Sequence, residues 1–68
     1  MKLEEVKRNL NKIVRYKDRD GVYRLTACIL RKNEAGEYSY SAELLDTKHG
    51  RSYIICRLND IEESEVKQ

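Results

Sequence analysis

The sequence predicts a mainly β protein: a short N-terminal helix packed on a strongly bent antiparallel sheet of four or five strands. Two observations carry that expectation. The loops Lys17-Asp18-Arg19-Asp20-Gly21, Lys32-Asn33-Glu34-Ala35-Gly36 and Asp46-Thr47-Lys48-His49-Gly50 each end in one of the chain's three glycines. A glycine closing a short polar loop takes φ > 0 without steric cost, as a tight reversal between antiparallel strands requires. The segments between the loops are rich in Tyr, Val, Ile, Leu, Ala and Thr and alternate with a period of two. The runner-up architecture is an open four-stranded meander with the helix across one face.

Leu3, Val6 and Leu10 follow i, i+3, i+7 spacing, so residues 3 to 11 read as an amphipathic helix with a narrow apolar stripe. Glu4 and Glu5 near its start and Lys7, Arg8 and Lys12 near its end suit the helix dipole, and Glu4 to Arg8 is an i,i+4 pair. So short a helix is unstable alone and must dock on the sheet. Ile13-Val14-Arg15-Tyr16 reads as the first strand. In the second, Val22 to Lys32, Tyr23, Leu25, Ala27 and Ile29 share an apolar face while Arg24, Thr26, Cys28 and Leu30 share a mixed one. Glu37 to Leu45 sets Tyr38, Tyr40, Ala42 and Leu44 against Ser39, Ser41 and Glu43. Ser52 to Leu58 sets Ile54, Cys56 and Leu58 against Tyr53, Ile55 and Arg57. Asn59 to Glu63 reads as a single turn capped by Asn59 or Asp60 onto the following N–H groups, Glu65-Val66-Lys67 as a stub of a fifth strand, and Ser64 to Gln68 as a fraying tail.

Sixty-eight residues make one domain, with residues 1 to 12 as the helix and 13 to 67 as the sheet. Such a chain buries only about 60% of the surface its unfolded form exposes, so its stability is expected to be marginal. The expected core is Leu3, Val6, Leu10, Val14, Leu25, Ala27, Ile29, Ala42, Leu44, Ile54, Cys56, Leu58 and Ile61, with Leu25 and Ile54 contributing most. No apolar run approaches the length of a membrane span, and Met1-Lys2-Leu3-Glu4-Glu5 lacks the features of a signal peptide, so no membrane partner and a cytoplasmic location are expected.

Cys28 and Cys56 fall in mid-strand and read first as small buried apolar groups, with a disulfide or a metal site well behind. No cofactor is expected. His49 is the one histidine and lies in a loop, the serines lack a nucleophile-elbow context, no glycine-rich phosphate loop occurs, and Asp18 and Asp20 are interleaved with Lys17 and Arg19 as in a solvated turn. An enzyme is therefore not expected. Charge is divided: residues 1 to 32 carry ten Lys and Arg against four acids, +6, and residues 33 to 68 carry four against eight, −4. The basic side chains gather around the first hairpin, where Lys12, Arg15, Lys17, Arg19 and Arg24 are interleaved with Tyr16 and Tyr23, a mixture suited to phosphate contacts and base stacking.

Val14-Arg15-Tyr16, the long strand around Tyr23 to Ile29, Ala42-Glu43-Leu44-Leu45-Asp46 and the Leu58-Asn59-Asp60-Ile61 turn give an order and spacing that resemble the small SH3-like barrels, Tudor and KOW-type domains among them. In style the chain also resembles short uncharacterised proteins of bacteria, phages and mobile elements. Proline-peptide recognition is not implied, since the chain has no Trp and no Pro, and tyrosines spread along strands fit cross-strand pairs better than a methyl-cation cage. The function expected is a small non-enzymatic binding or regulatory module acting through protein–protein contacts. The alternative is nucleic-acid binding through Arg15, Tyr16, Lys17, Arg19, Tyr23 and Arg24. A homodimer formed through an exposed first or last strand is a further expectation.

Overall fold

The computed structural model describes residues 1–19, 22–48 and 52–64. Its elements are α1 (Leu3–Arg8), β1 (Ile13–Tyr16), β2 (Val22–Lys32), β3 (Tyr38–Asp46), β4 (Tyr53–Arg57), a 3-10 turn η1 (Leu58–Asp60) and β5 (Ile61–Glu63). The mainly β antiparallel class is as expected. Strands lie in the order β4-β3-β2-β1-β5, every neighbour antiparallel, and β4 and β5 are the two edges of a sheet that is neither closed nor strongly curled. The strong bend expected from the sequence is absent. β1 is an interior strand, flanked by β2 and β5, so of the two terminal strands proposed for pairing with a twin only the last is at an edge.

α1 ends at Arg8, one turn short of the expected stripe. The Asn9 N–H donates to the carbonyls of Glu5 and Val6, its side-chain amide donates to the Glu5 carbonyl at 2.7 Å, and Asn11 takes φ 67°, a left-handed conformation that Asn tolerates. Val6 is fully buried and Leu3 half-buried, but Leu10 lies past the helix end and is exposed. Arg8 is paired with Glu63 at 3.9 Å, not with Glu4 as expected. The chain start is tied to the other end of the fold: the Met1 ammonium donates to the carbonyls of Leu58 at 2.6 Å and Ile61 at 3.2 Å.

The core is Val6, Val14, Tyr23, Leu25, Ala42, Leu44, Cys56 and Ile61, with Met1, Tyr16, Cys28, Ile54 and Leu58 packed against it. Burying each large aliphatic side chain here is worth about 1.5–3 kcal/mol. Four expected members are missing: Leu3 and Leu10 from the helical stripe, and Ala27 and Ile29 from β2, where the cause is local. The β2–β3 register pairs Leu25 with Leu44 and then Ala27 with Glu43, leaving Thr26 as an extra residue in a β-bulge. One inserted residue inverts the alternation beyond it. Cys28 therefore pairs with Ala42 on the core face, and Ala27 and Ile29 turn to the opposite, outer face. Ile54 pairs with Leu44 on the core face but is only half-buried, because β4 is an edge.

The turn between β2 and β3 behaves as its composition predicts. Gly36 has φ 85° and its N–H donates to the Asn33 carbonyl, while the Asn33 side chain accepts from the Glu37 N–H at 2.9 Å. The other two glycines, Gly21 and Gly50, lie outside the described residues, as do Asp20, His49 and the expected strand stub 65 to 67. The final strand begins earlier, at Ile61, because η1 occupies only Leu58–Asp60. Asp60 caps in the reverse of the expected direction, its carboxylate accepting from the preceding Arg57 N–H at 3.3 Å.

Candidate functional site

The residues expected to bind nucleic acid are divided between the two faces of the first hairpin. Arg15 and Arg24 are on the outer face, since Arg24 pairs directly with Ile13, whose parity Arg15 shares. Both are engaged: Arg15 with the Glu62 carboxylate at 3.4 Å, and Arg24 through a guanidinium donation to the Asn11 carbonyl at 2.6 Å. Tyr16 and Tyr23 are on the core face and meet edge to face, their ring centroids 5.8 Å apart. Tyr23 is buried, so its ring has no face open to a base. Partial burial, aided by the Asp18 carboxylate, pushes the Tyr16 phenol up from its ordinary value. Lys17 and Arg19 are exposed beyond β1, where the Lys17 N–H donates to the Asp60 carbonyl and the Arg19 N–H to the Tyr16 carbonyl. The basic set is thus brought together with Glu62 and Asp60, and its two tyrosines are turned away from its two strand arginines.

A different surface follows from strand length. β1 pairs with β2 only at residues 22 to 24, and β4 pairs with β3 only at residues 41 to 45, whereas β2 and β3 stay paired out to Lys32 and Tyr38. The outer part of this hairpin is a two-stranded ribbon flanked, among the described residues, by no further strand, and the molecule extends 39 Å along its longest axis against 19 Å along its shortest. On the ribbon's core-side face Leu30 pairs with Tyr40 and Lys32 with Tyr38. The exposures there are 54% for Leu30, 64% for Tyr38 and 41% for Tyr40, high for side chains of this size. The Lys32 ammonium lies 5.5 Å from the centre of the Tyr38 ring, a cation–π distance.

Sequence periodicity assigned Tyr38 and Tyr40 to an apolar strand face and Leu30 to a mixed one, without revealing that all three stand beyond the core. The signal that finds them is the mismatch between β2 and β3, at 11 and 9 residues, and β1 and β4, at 4 and 5. Longer strands must outrun their neighbours, and whatever they carry there is exposed.

The thiols show no pairing. Cys28 and Cys56 both face the core and flank Ala42 on the adjoining strands, which sets them two strand spacings apart, roughly 9–10 Å, beyond disulfide reach. Burial pushes the Cys56 thiol up to about 11, with Asp60 and Asp18 adding to the effect. It is accordingly a protonated core group at neutral pH. Among the described residues no three metal-ligating side chains gather. No described helix is long and apolar enough to cross a membrane.

No family model, curated protein or solved structure matches this chain.

Proposed function

We propose that this protein is a small non-enzymatic binding module that works through protein–protein contacts, and that the core-side face of the projecting ribbon, Leu30, Tyr38 and Tyr40, is its contact surface. The observation that carries the reading is the exposure of three large side chains, Leu30, Tyr38 and Tyr40, held in fixed register on a paired ribbon. Tyrosine supplies a broad, stiff contact with a polar tip and is enriched where proteins meet. The ribbon enters a groove or adds to an apolar face on the partner.

Four consecutive antiparallel strands, a bulge midway along a long β2 and a one-turn helix before a short last strand support kinship with the SH3-like barrels, here as an open relative. Nucleic-acid binding ranks second. Exposed Lys17 and Arg19 favour it, and the engagement of Arg15 and Arg24 and the burial of Tyr23 weigh against it. The reading is tested by affinity capture from extract of the cells that make the protein, with Leu30→Ser/Tyr40→Ser beside the parent and free parent protein as competitor. A discrete protein retained by the parent, displaced by the competitor and lost with the double variant is the expected result. Equal retention by both baits overturns the assignment of the surface.

A further inference from the structure

The two edges of the sheet are unlike. β5 is three residues long and carries Glu62 and Glu63, which Arg15 and Arg8 hold by ion pairs. A short, acidic strand is a guarded edge. β4 is longer, Tyr53-Ile54-Ile55-Cys56-Arg57, and has no Lys, Pro, acidic residue or bulge. Its outer-face residues Tyr53 and Ile55 are 58% and 50% exposed.

The hydrogen-bond phase shows which backbone groups of that edge are open. The Asp46 N–H donates to the Ser52 carbonyl at 2.8 Å, marking a hydrogen-bonded pair. Antiparallel ladders alternate, so Leu44/Ile54 and Ala42/Cys56 are the next such pairs, and the N–H and C=O groups of Tyr53, Ile55 and Arg57 point away from β3. Arg57 is closed: its N–H is taken by the Asp60 carboxylate, and the chain turns into η1 immediately after it. What is open, among the described residues, is the pair of N–H and C=O groups on Tyr53 and on Ile55.

We infer that this protein self-associates through β4, two copies pairing their edges antiparallel about a twofold axis at Ile54, to give a continuous ten-stranded sheet. In this register Tyr53 of one copy faces Ile55 of the other in a hydrogen-bonded pair, twice over by symmetry, and all the open groups are used. The two Ile54 residues meet at the axis on the core face, and each Tyr53 packs against an Ile55 on the outer face, an aromatic on β-branched pairing that sheets favour. The charged residue of the strand, Arg57, lies beyond the Tyr53–Ile55 pairs, with its side chain 87% exposed and 4.0 Å from Asp60. The occupant is a second copy because the edge is its own complement in both hydrogen bonding and side chains. The inference concerns an edge that the ribbon surface does not include, and it stands or falls apart from the proposed function. A seam of three residues from each copy buries less than the low end of standard interfaces, about 1,200 Å², so the dimer is weak and its population changes with concentration.

The test is sedimentation equilibrium from roughly 10 µM to 1 mM, beside amide hydrogen exchange on the same samples. The mass is expected to rise from 8.1 kDa toward twice that, with the Tyr53 and Ile55 amides gaining protection in step. Ile55→Pro removes one outward donor and is expected to stay monomeric at every concentration; Tyr53→Lys, an exposed change that leaves the fold alone, does the same by a different route. Tyr38→Ser/Tyr40→Ser on the ribbon is expected to associate as the parent does. A parent that stays monomeric at 1 mM overturns the inference. So does unchanged association of Tyr53→Lys, or association lost in the ribbon variant, which would transfer the contact to the other surface.

Discussion

The Thr26 hydroxyl donates to Glu43 across the bulge of β2, its oxygen 2.8 Å from the Glu43 carboxylate and 3.1 Å from the Glu43 carbonyl oxygen, which share its one proton. The extra residue that inverts the face of β2 is therefore held in place by its own side chain.

Thr26→Val keeps the β-branched shape and removes the hydroxyl, leaving Glu43 without that donor. The expected cost is about 1–2 kcal/mol, read from denaturant midpoints, while Thr26→Ser retains the donor and is expected to cost less. Equal losses for the two variants would show that the hydroxyl does not hold the bulge.

Burial ranks the core differently from periodicity. Leu25 and Leu44 form a directly opposed, fully buried pair, so Leu25→Ala and Leu44→Ala are each expected to cost about 2–5 kcal/mol, a large share of the stability of a domain this small. Ile54, half-buried at the edge, and Ile29, turned outward past the bulge, are each expected to lose less than either leucine. Urea unfolding of the four alanine variants checks the order. Ile29→Ala as costly as Leu25→Ala would mean that β2 keeps one face throughout.

Cys56 ties stability to alkaline pH. Its folded-state value is raised from 9.0 to about 11, chiefly by burial, so the folded state holds this proton more tightly than the unfolded state. The contribution is fully present below pH 9 and is lost as pH rises from 9 toward 11, by roughly 2 to 3 kcal/mol at about 1.4 kcal/mol per unit. Thermal unfolding of the parent and of Cys56→Ala across this window reads the difference. The parent is expected to lose more stability than the variant, though the variant starts lower for its lost packing. Parallel pH profiles would contradict the assignment.

The first four strands were legible from the sequence because each adjoins a polar, glycine-ended loop and carries its own alternation, and β1 at Ile13–Tyr16 and β2 at Val22–Lys32 lie where the pattern puts them; β5 at Ile61–Glu63 was not, since no such loop precedes it and its residues read as a turn. The bulge was not, since Thr26 is as good a strand residue as its neighbours and only the partner strand reveals that it is extra. The openness of the sheet was illegible for a related reason: a meander and a barrel share local periodicity and differ in whether the outer strands meet. Leu10 failed as a core residue because Asn9 and Asn11 end the helix before the stripe is complete. The basic hairpin is a cluster in sequence, but strand parity sends Arg15 and Arg24 to one face and Tyr16 and Tyr23 to the other.

The measurement that bears most directly on the proposed function is site-specific photocrosslinking in the cells that make the protein. A photoreactive residue is placed at position 40 on the ribbon or, separately, at position 15 on the basic hairpin. Contact through the ribbon predicts a discrete protein adduct from position 40 and none from position 15. A nuclease-sensitive adduct from position 15, with none from position 40, would contradict it.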